Sequence, residues 1–305
     1  MERTVLSEDI ITVLVHHLEI LLDEVKIYRT KVLLKEDAED LHKFRIALRH
    51  SVVLMGEFSF LDESGKMEVH RKALKKLISL SNLKRDLDVF TLRLKVLQRR
   101  FSDKKKNYKY LFRHMKKIKK KAHRVFLAYL QSRECTDSLL SWSTYLESWQ
   151  KEEDAIYIYA SAKSVSAYVI SLRLLKIKKQ INALEKKRNR REERLHALRI
   201  SYKKLRYLLE TFASLFKKKR LKKCIKEIKK IQDILGTFHD SYRQRIILQD
   251  LLKHAKKKKI KDFIKTFLLP EIVRYQENEV SKIETRLEKF LKKENRWCFT
   301  GRDSR

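Results

Sequence analysis

One proline and four glycines are all the backbone breakers in a chain of 305 residues. That scarcity excludes a sandwich, a barrel or any repeated strand–turn unit, whose turns need such residues at short intervals. Long stretches rich in Leu, Lys, Ile, Glu and Arg remain, and they read as all-α. Hydrophobic residues are 43% of the chain, enough for a sizeable core. The length suits one large domain or two half-sized ones.

The stretch from Leu195 to Tyr207 shows how the helices are built. Leu195, Leu198, Tyr202, Leu205, Leu209 and Phe212 recur at alternating steps of three and four, an apolar seam. His196, Arg199, Lys203 and Arg206 follow the same steps one residue later, about 100° further round the helix. Lys204 adjoins them. A solvated face usually mixes signs. This stripe carries one sign and lies beside the seam, where another element can cover it.

A near copy runs from Leu41 to His50. His42 lies over His196, Arg45 over Arg199 and Arg49 over Lys203, at a constant offset of 154. At that offset Lys75-Lys76-Leu77 overlies Lys229-Lys230-Ile231, Leu80 overlies Ile234, and Arg85-Asp86 overlies His239-Asp240. Independent helices would not hold this register. It implies two similar halves related by a pseudo-two-fold axis and sharing one interface. The first repeat covers 5–131, a connector 132–156 and the second repeat 157–292, within a single domain of 1–305.

In the first half, helices are expected at 7–33, capped by Ser7, and at 38–61, closed by Gly65. Two more follow at 66–80 and 85–101, separated at Ser81-Asn82, with a long one at 104–131. Trp142, Tyr145, Leu146 and Trp149 make the connector a packed segment. The second half should hold helices near 157–189, 192–217, 220–234, 238–256 and 260–292. Pro270 either kinks the last or opens its second half, and the tail after Arg296 frays.

Net charge is +35, from 74 Lys+Arg against 39 Asp+Glu. Self-repulsion on that scale opposes compaction and calls for a polyanion: nucleic acid, an anionic membrane surface or another polymer of negative charge. Thermophilic lysine enrichment would bring glutamate in balance, which is not the case here. Cys135, Cys224 and Cys298 form no CxxC pair, so neither a disulfide framework nor a zinc knuckle is supported. The first 22 residues are interrupted by Glu8, Asp9, His16, His17 and Glu19 and do not read as a signal peptide. No apolar run reaches 18 residues, so no membrane span is expected. A cytoplasmic, reducing setting is the default.

Arg and Lys beside a core usually snorkel over its edge. Here the stripe is repeated, same-signed and headed by histidine both times. If two such helices face each other at ~6 Å, each like pair costs about 3 kcal/mol at an effective dielectric of ~20. An anion is needed to offset that. Lys75, Lys76, Lys229 and Lys230 are candidates for the same basic surface. Asp86 and Asp240 each read as beginning a helix and holding a neighbouring arginine in place. Histidines spaced for a metal on one helix are missing, and arginine at i+3 of His42 and His196 repels a cation. No metal or other cofactor is therefore expected. Phosphate-cradling glycine motifs and GxSxG are absent, and no acidic cluster is placed for Mg²⁺. The expectation is a protein without catalytic residues.

At these residues the chain resembles the CHAD family, the conserved histidine α-helical domain. The likeness rests on Leu41-His42…Arg45…Arg49 with Arg85-Asp86-Leu87-Asp88-Val89. It recurs in Leu195-His196…Arg199…Lys203-Lys204-Leu205-Arg206-Tyr207 with Leu235-Gly236-Thr237-Phe238-His239-Asp240. It covers about 5–292. The resemblance implies two four-helix bundles around a central basic channel that binds inorganic polyphosphate. His50 and Val52 stand where the second half has Lys204 and Arg206, so the first stripe is shorter. His239 stands where asparagine is commoner. Some members carry a β-tunnel triphosphatase domain in front; this chain is expected to lack one and its hydrolase activity.

The resulting expectation is non-catalytic polyphosphate binding by His42, Arg45, Arg49, Lys75, Lys76, Arg85, His196, Arg199, Lys203, Lys204, Arg206, Lys229 and Lys230, with Asp86 and Asp240 in support. Polyphosphate offers only phosphate oxygens, which Arg, Lys and His suit. Association with polyphosphate granules would follow. The alternative is single-stranded nucleic acid, which should interleave exposed aromatics with the basic residues for stacking. Tyr207 adjoins Arg206, but Tyr202 belongs to the seam. Oligomeric state and chain-length preference are not encoded in these patterns.

Overall fold

The computed structural model describes residues 9–149, 161–186 and 190–292. The first half runs α1 (Ile10–Leu34), α2 (Ala38–Glu57), α3 (Lys66–Arg100) and α4 (Lys105–Gln131). Then comes α5 (Arg133–Trp149). The second half runs α6 (Ala162–Lys186), α7 (Arg191–Thr211) and α8 (Lys218–His254), then α9 (Lys258–Phe263), a π-helical turn at Ile264–Leu268 and α10 (Leu269–Leu291). Among the described residues no strand is present; Asp9 and Ser161 form an isolated antiparallel bridge.

Local chemistry sets the helix ends. Asp9, not Ser7, caps α1 by accepting from the Thr12 amide at 2.9 Å; Ser7 lies outside the described residues. Asp37 caps α2, accepting from Glu39 and Asp40 at 2.7 and 3.1 Å. Gly65 does not close α2. It stands at the start of α3 with φ of +70°, a left-handed conformation that a side chain would strain. Pro270 opens α10, directly after the π turn. A proline lacks the amide and crowds the carbonyl four residues back, and widening the preceding turn relieves both.

Two expected breaks are absent. α3 runs through Ser81-Asn82, and α8 runs through 234–238. Both helices are therefore about twice the expected length. The tail after Arg296, and Cys298, lie outside the described residues, as do 150–156 of the connector and 157–160 of the second repeat. The described part of the connector is α5, which buries Trp142, Tyr145, Leu146 and Trp149.

Within each half neighbouring helices pack in sequence, α1–α2–α3–α4 and α6–α7–α8–α10, and the equivalents α1/α6, α2/α7 and α3/α8 meet across the middle. The protein is all-α, two four-helix bundles in a pseudo-two-fold arrangement. Burial is divided between two cores. The first gathers residues of both halves, including Leu18, Phe44, Leu48, Trp142, Leu198 and Tyr202. The second joins the far ends of α3 and α8 to α4, α9 and the start of α10, through Phe90, Leu94, Tyr108, Leu248, Phe263 and Ile272. Between Leu77 and Leu87 on α3, and between Phe238 and Ile247 on α8, the apolar seam passes from one core to the other. Polar side chains collect at that waist.

Candidate polyanion-binding cleft

A cleft of about 570 Å³ opens at the waist between α2, α3, α7 and α8. The seam of α7 positions one wall: Leu198, Tyr202, Leu205, Leu209 and Phe212 are fully buried. That burial turns the adjacent stripe, His196, Arg199, Lys203 and Lys204, into the cleft. α2 supplies Arg49, α3 supplies Arg71, Lys75, Arg85 and Asp86, and α8 supplies His239 and Arg243. Eight Lys and Arg side chains thus line the cleft with one carboxylate, Asp86. Gly56 makes room for Arg71; a Cβ there would lie 3.0 Å from Arg71 Nη1.

The two aspartates cross-link the halves. Arg85 Nη1 donates to Asp240 Oδ1 at 3.1 Å, and Arg243 Nε donates to Asp86 Oδ2 at 2.9 Å. Asp86 and Asp240 do not begin helices, as the sequence suggested; both sit well inside α3 and α8. Asp86 does pair with its neighbour Arg85, at 3.6 Å, and in addition each aspartate holds an arginine from the opposite half. A carboxylate on an exposed face would be a weak tie, whereas these half-buried pairs fix the direction of the guanidinium fork.

Burial among like charges lowers the proton affinity of Arg49, His196, Arg199, Lys203 and His239. Desolvation first, then Arg199, Arg49, Arg85 and Arg206, bring the Lys203 ammonium down to about 6. Desolvation, followed by Arg199, His196, Lys203 and Arg243, brings His239 down to about 3. His196 is lowered by burial and by Arg199, Lys203 and Arg243. The Nδ1 atoms of His196 and His239 lie 3.1 Å apart, a contact that needs one ring to donate and the other to accept. His196 therefore meets His239 of α8. Arg199 Nε is buried without a hydrogen-bond partner.

Arg45, the first-half counterpart of Arg199, is placed differently. It is 4% exposed and tied to α3, donating to Ile78 O at 3.1 Å, to Asn82 Oδ1 at 2.8 Å and to Ser81 Oγ. His42 stands outside the cleft lining, although Arg85, Arg45 and Arg49 help to lower its proton affinity after burial. Lys76 points to the α4–α5 junction, 2.5 Å from Glu134 and over the Tyr129 ring. Arg206 and Lys229 lie beside Glu210 at 3.5 and 3.8 Å, and Lys230 beside Glu227 at 3.3 Å, all outside the cleft.

Sequence reasoning missed Arg71, Asn82 and Arg243 and gave His239 no binding role. The repeat could not find Arg71 and Arg243, because Ile225 and Val89 occupy the equivalent positions. Helical spacing could have found them. Arg71, Lys75, Asn82 and Arg85 share one face of α3, and His239 and Arg243 share one face of α8. Tyr207 lines the cleft but is 4% exposed and stacks on His50 with ring centroids 4.6 Å apart. His50 also lies 2.7 Å from Thr211 Oγ1, and burial brings it down to about 4.

Among the described residues no group of three or more His, Cys, Asp or Glu is arranged to hold a metal ion, and no helix is long and apolar enough to cross a membrane. Residues 16–249 match the family model described as the CHAD domain. The structure is similar to the crystal structure of the CHAD domain from the plant Ricinus communis, with a TM-score of 0.78 and 18% identity over 93% of each chain. It is also similar to PptA from Streptomyces chartreusis, with a TM-score of 0.73 and 12% identity over 92% of this chain and 100% of that one. No curated protein matches the sequence.

Proposed function

The chain belongs to the CHAD domain family, and on that premise we propose that it binds inorganic polyphosphate in the waist cleft, without catalysis. One observation carries the reading: eight Lys and Arg side chains from both halves converge on a single cleft that contains one carboxylate. The ligand matching such a lining is a polymer of phosphate oxygens. Charge-assisted bonds and counterion release supply its affinity, and no base readout is required. The two repeats, 5–131 and 157–292, are proposed to contribute unequally. α7 presents Arg199, Lys203 and Lys204, while α2 presents Arg49.

Single-stranded nucleic acid fits less well. Stacking of bases needs exposed rings, and Tyr207 is buried under His50. A cytoplasmic setting, with association with polyphosphate granules, belongs to the same proposal. The test is direct titration of the whole chain with long-chain polyphosphate and with single-stranded RNA at equal phosphate concentration and physiological salt. Tighter binding of polyphosphate is expected. Equal affinity for RNA would overturn the reading.

A further inference from the structure

A second cavity, of about 780 Å³, lies on the other side of α3, between α3 and α4 and closed at one end by the α1–α2 loop. It belongs to the first half alone. Lys84, Asp88 and Lys95 line it, whereas the equivalent positions in the second half are Phe238, Tyr242 and Gln249.

Its chemistry is mixed. At the inner end Lys84 is 2% exposed, and its Nζ lies 3.4 Å from both Glu36 Oε1 and Asp88 Oδ2. Lys119 approaches Asp88 Oδ1 at 2.9 Å. His123 Nε2 stands 4.0 Å from Glu36, while its Nδ1 is buried and has no hydrogen-bond partner. Towards the other end the floor turns apolar, with Phe112 and Met115. Along the rim Lys95, Lys116, Lys120 and Arg124 are exposed and have no carboxylate partner among the described residues. Lys116, Lys120 and Arg124 recur every four residues and form one stripe of α4.

We propose that this groove binds a nucleoside polyphosphate. Its cationic stripe suits a short run of phosphates, and the half-buried Phe112 ring offers the planar apolar contact that a base uses. Asp88 and Glu36 can accept from hydroxyl or amino groups of the ligand. Inorganic polyphosphate is the poorer occupant, because it gains nothing from the apolar floor and meets two carboxylates. The volume falls within the range of about 300–1,000 Å³ usual for small-molecule sites.

The experiment is calorimetric titration of the full chain with ATP, inorganic tripolyphosphate and adenosine. It is repeated on Lys116→Ala/Lys120→Ala and, separately, on Arg199→Ala. Both lysines are exposed, so their removal leaves the fold intact; circular dichroism checks this. Saturable ATP binding is expected, weakened about tenfold or more in the double variant by loss of two charge-assisted contacts. Tripolyphosphate should bind this groove more weakly than ATP, and Arg199→Ala should leave unchanged the ATP binding that depends on Lys116 and Lys120. Absence of saturable ATP binding would overturn the proposal. So would equal affinity of ATP and tripolyphosphate, or ATP binding that is lost with Arg199 and indifferent to Lys116 and Lys120. Read in the Arg199→Ala background, where the waist cleft is weakened, the comparison of ATP with tripolyphosphate and its dependence on Lys116 and Lys120 report this groove rather than the polyphosphate site proposed above.

Discussion

α2 and α7 carry the same motif and use it in opposite ways. Arg45 is spent on structure, joined to the Ile78 carbonyl and to Ser81 and Asn82 of α3. Arg199, at the equivalent place, faces the cleft with its Nε unpartnered. The next positions diverge further: His50 is locked against Tyr207 and Thr211, whereas Lys204 reaches the cleft and pairs with Glu57 at 2.9 Å. A duplicated stripe thus holds a staple at Arg45 with only Arg49 in the cleft in one half, and forms a wall of the cleft in the other. Identical spacing fixes where a side chain stands, and its neighbours decide what it does.

Four measurements can break or sharpen that contrast. Arg199→Ala with Lys203→Ala should weaken binding of long polyphosphate about 100-fold, since each lost charge-assisted contact is worth roughly 1.5–3 kcal/mol. Arg45→Met should instead lower unfolding stability by about 2–4 kcal/mol, through acceptors left unpaired on α3, with a much smaller loss of affinity. Equal losses of affinity in a titration of both variants would erase the distinction between staple and wall.

Proton linkage gives the next largest effect. With Lys203 near 6 in the free protein, an anion that restores its charge takes up a proton. Polyphosphate affinity should therefore rise as pH falls from about 8 to 6, by up to roughly tenfold per proton per pH unit. Calorimetry in buffers of different ionisation enthalpy should show net proton uptake at pH 7, and Lys203→Met should remove most of it. Uptake unchanged in that variant would reassign the linkage to the histidines.

The same group gives a stability prediction. A lysine lowered to about 6 from its ordinary value of 10.5 binds fewer protons folded than unfolded between those values, so its penalty on folding diminishes as pH rises through the interval. Lys203→Met should accordingly stabilise the free protein at pH 7 by about 1–3 kcal/mol and flatten the rise of stability with pH. Thermal unfolding across pH 6–10 reads both; a destabilised Lys203→Met would contradict the buried-charge account.

The smallest effect belongs to residues that share the repeat but not the cleft. Lys229→Ala with Lys230→Ala should change polyphosphate affinity less than about threefold, the size of screened surface charge. A loss as large as that of Arg199→Ala would mean that net charge, rather than the cleft, governs binding.

Much of this was legible in the sequence for a physical reason: a seam at helical spacing has to be buried, and its burial aims the residues one step round. Leu195 to Phe212 placed Arg199 and Lys203 correctly on that logic alone. The continuity of α3 was not legible. Ser81 and Asn82 resemble a break, yet in the fold their side chains accept from Arg45, a partner 36 and 37 residues away. In α8 the Gln232 side chain donates to the Tyr202 carbonyl at 2.6 Å, another tie that only tertiary packing creates. The crossed pairs Arg85–Asp240 and Arg243–Asp86 also lay beyond local pattern, because each joins opposite halves.

The unbroken passage of α3 and α8 through the waist has a mechanical consequence. Each is a rod of about 50 Å at 1.5 Å rise per residue, anchored in both cores. Neither has a break at the level of the cleft, so the two cores are held at a fixed separation along these helices. If the cleft binds polyphosphate as proposed, the polymer enters a slot that is already open between the halves. Its arrival would then be sped by long-range attraction and slow with ionic strength, and its residence time would grow with the number of phosphates engaged.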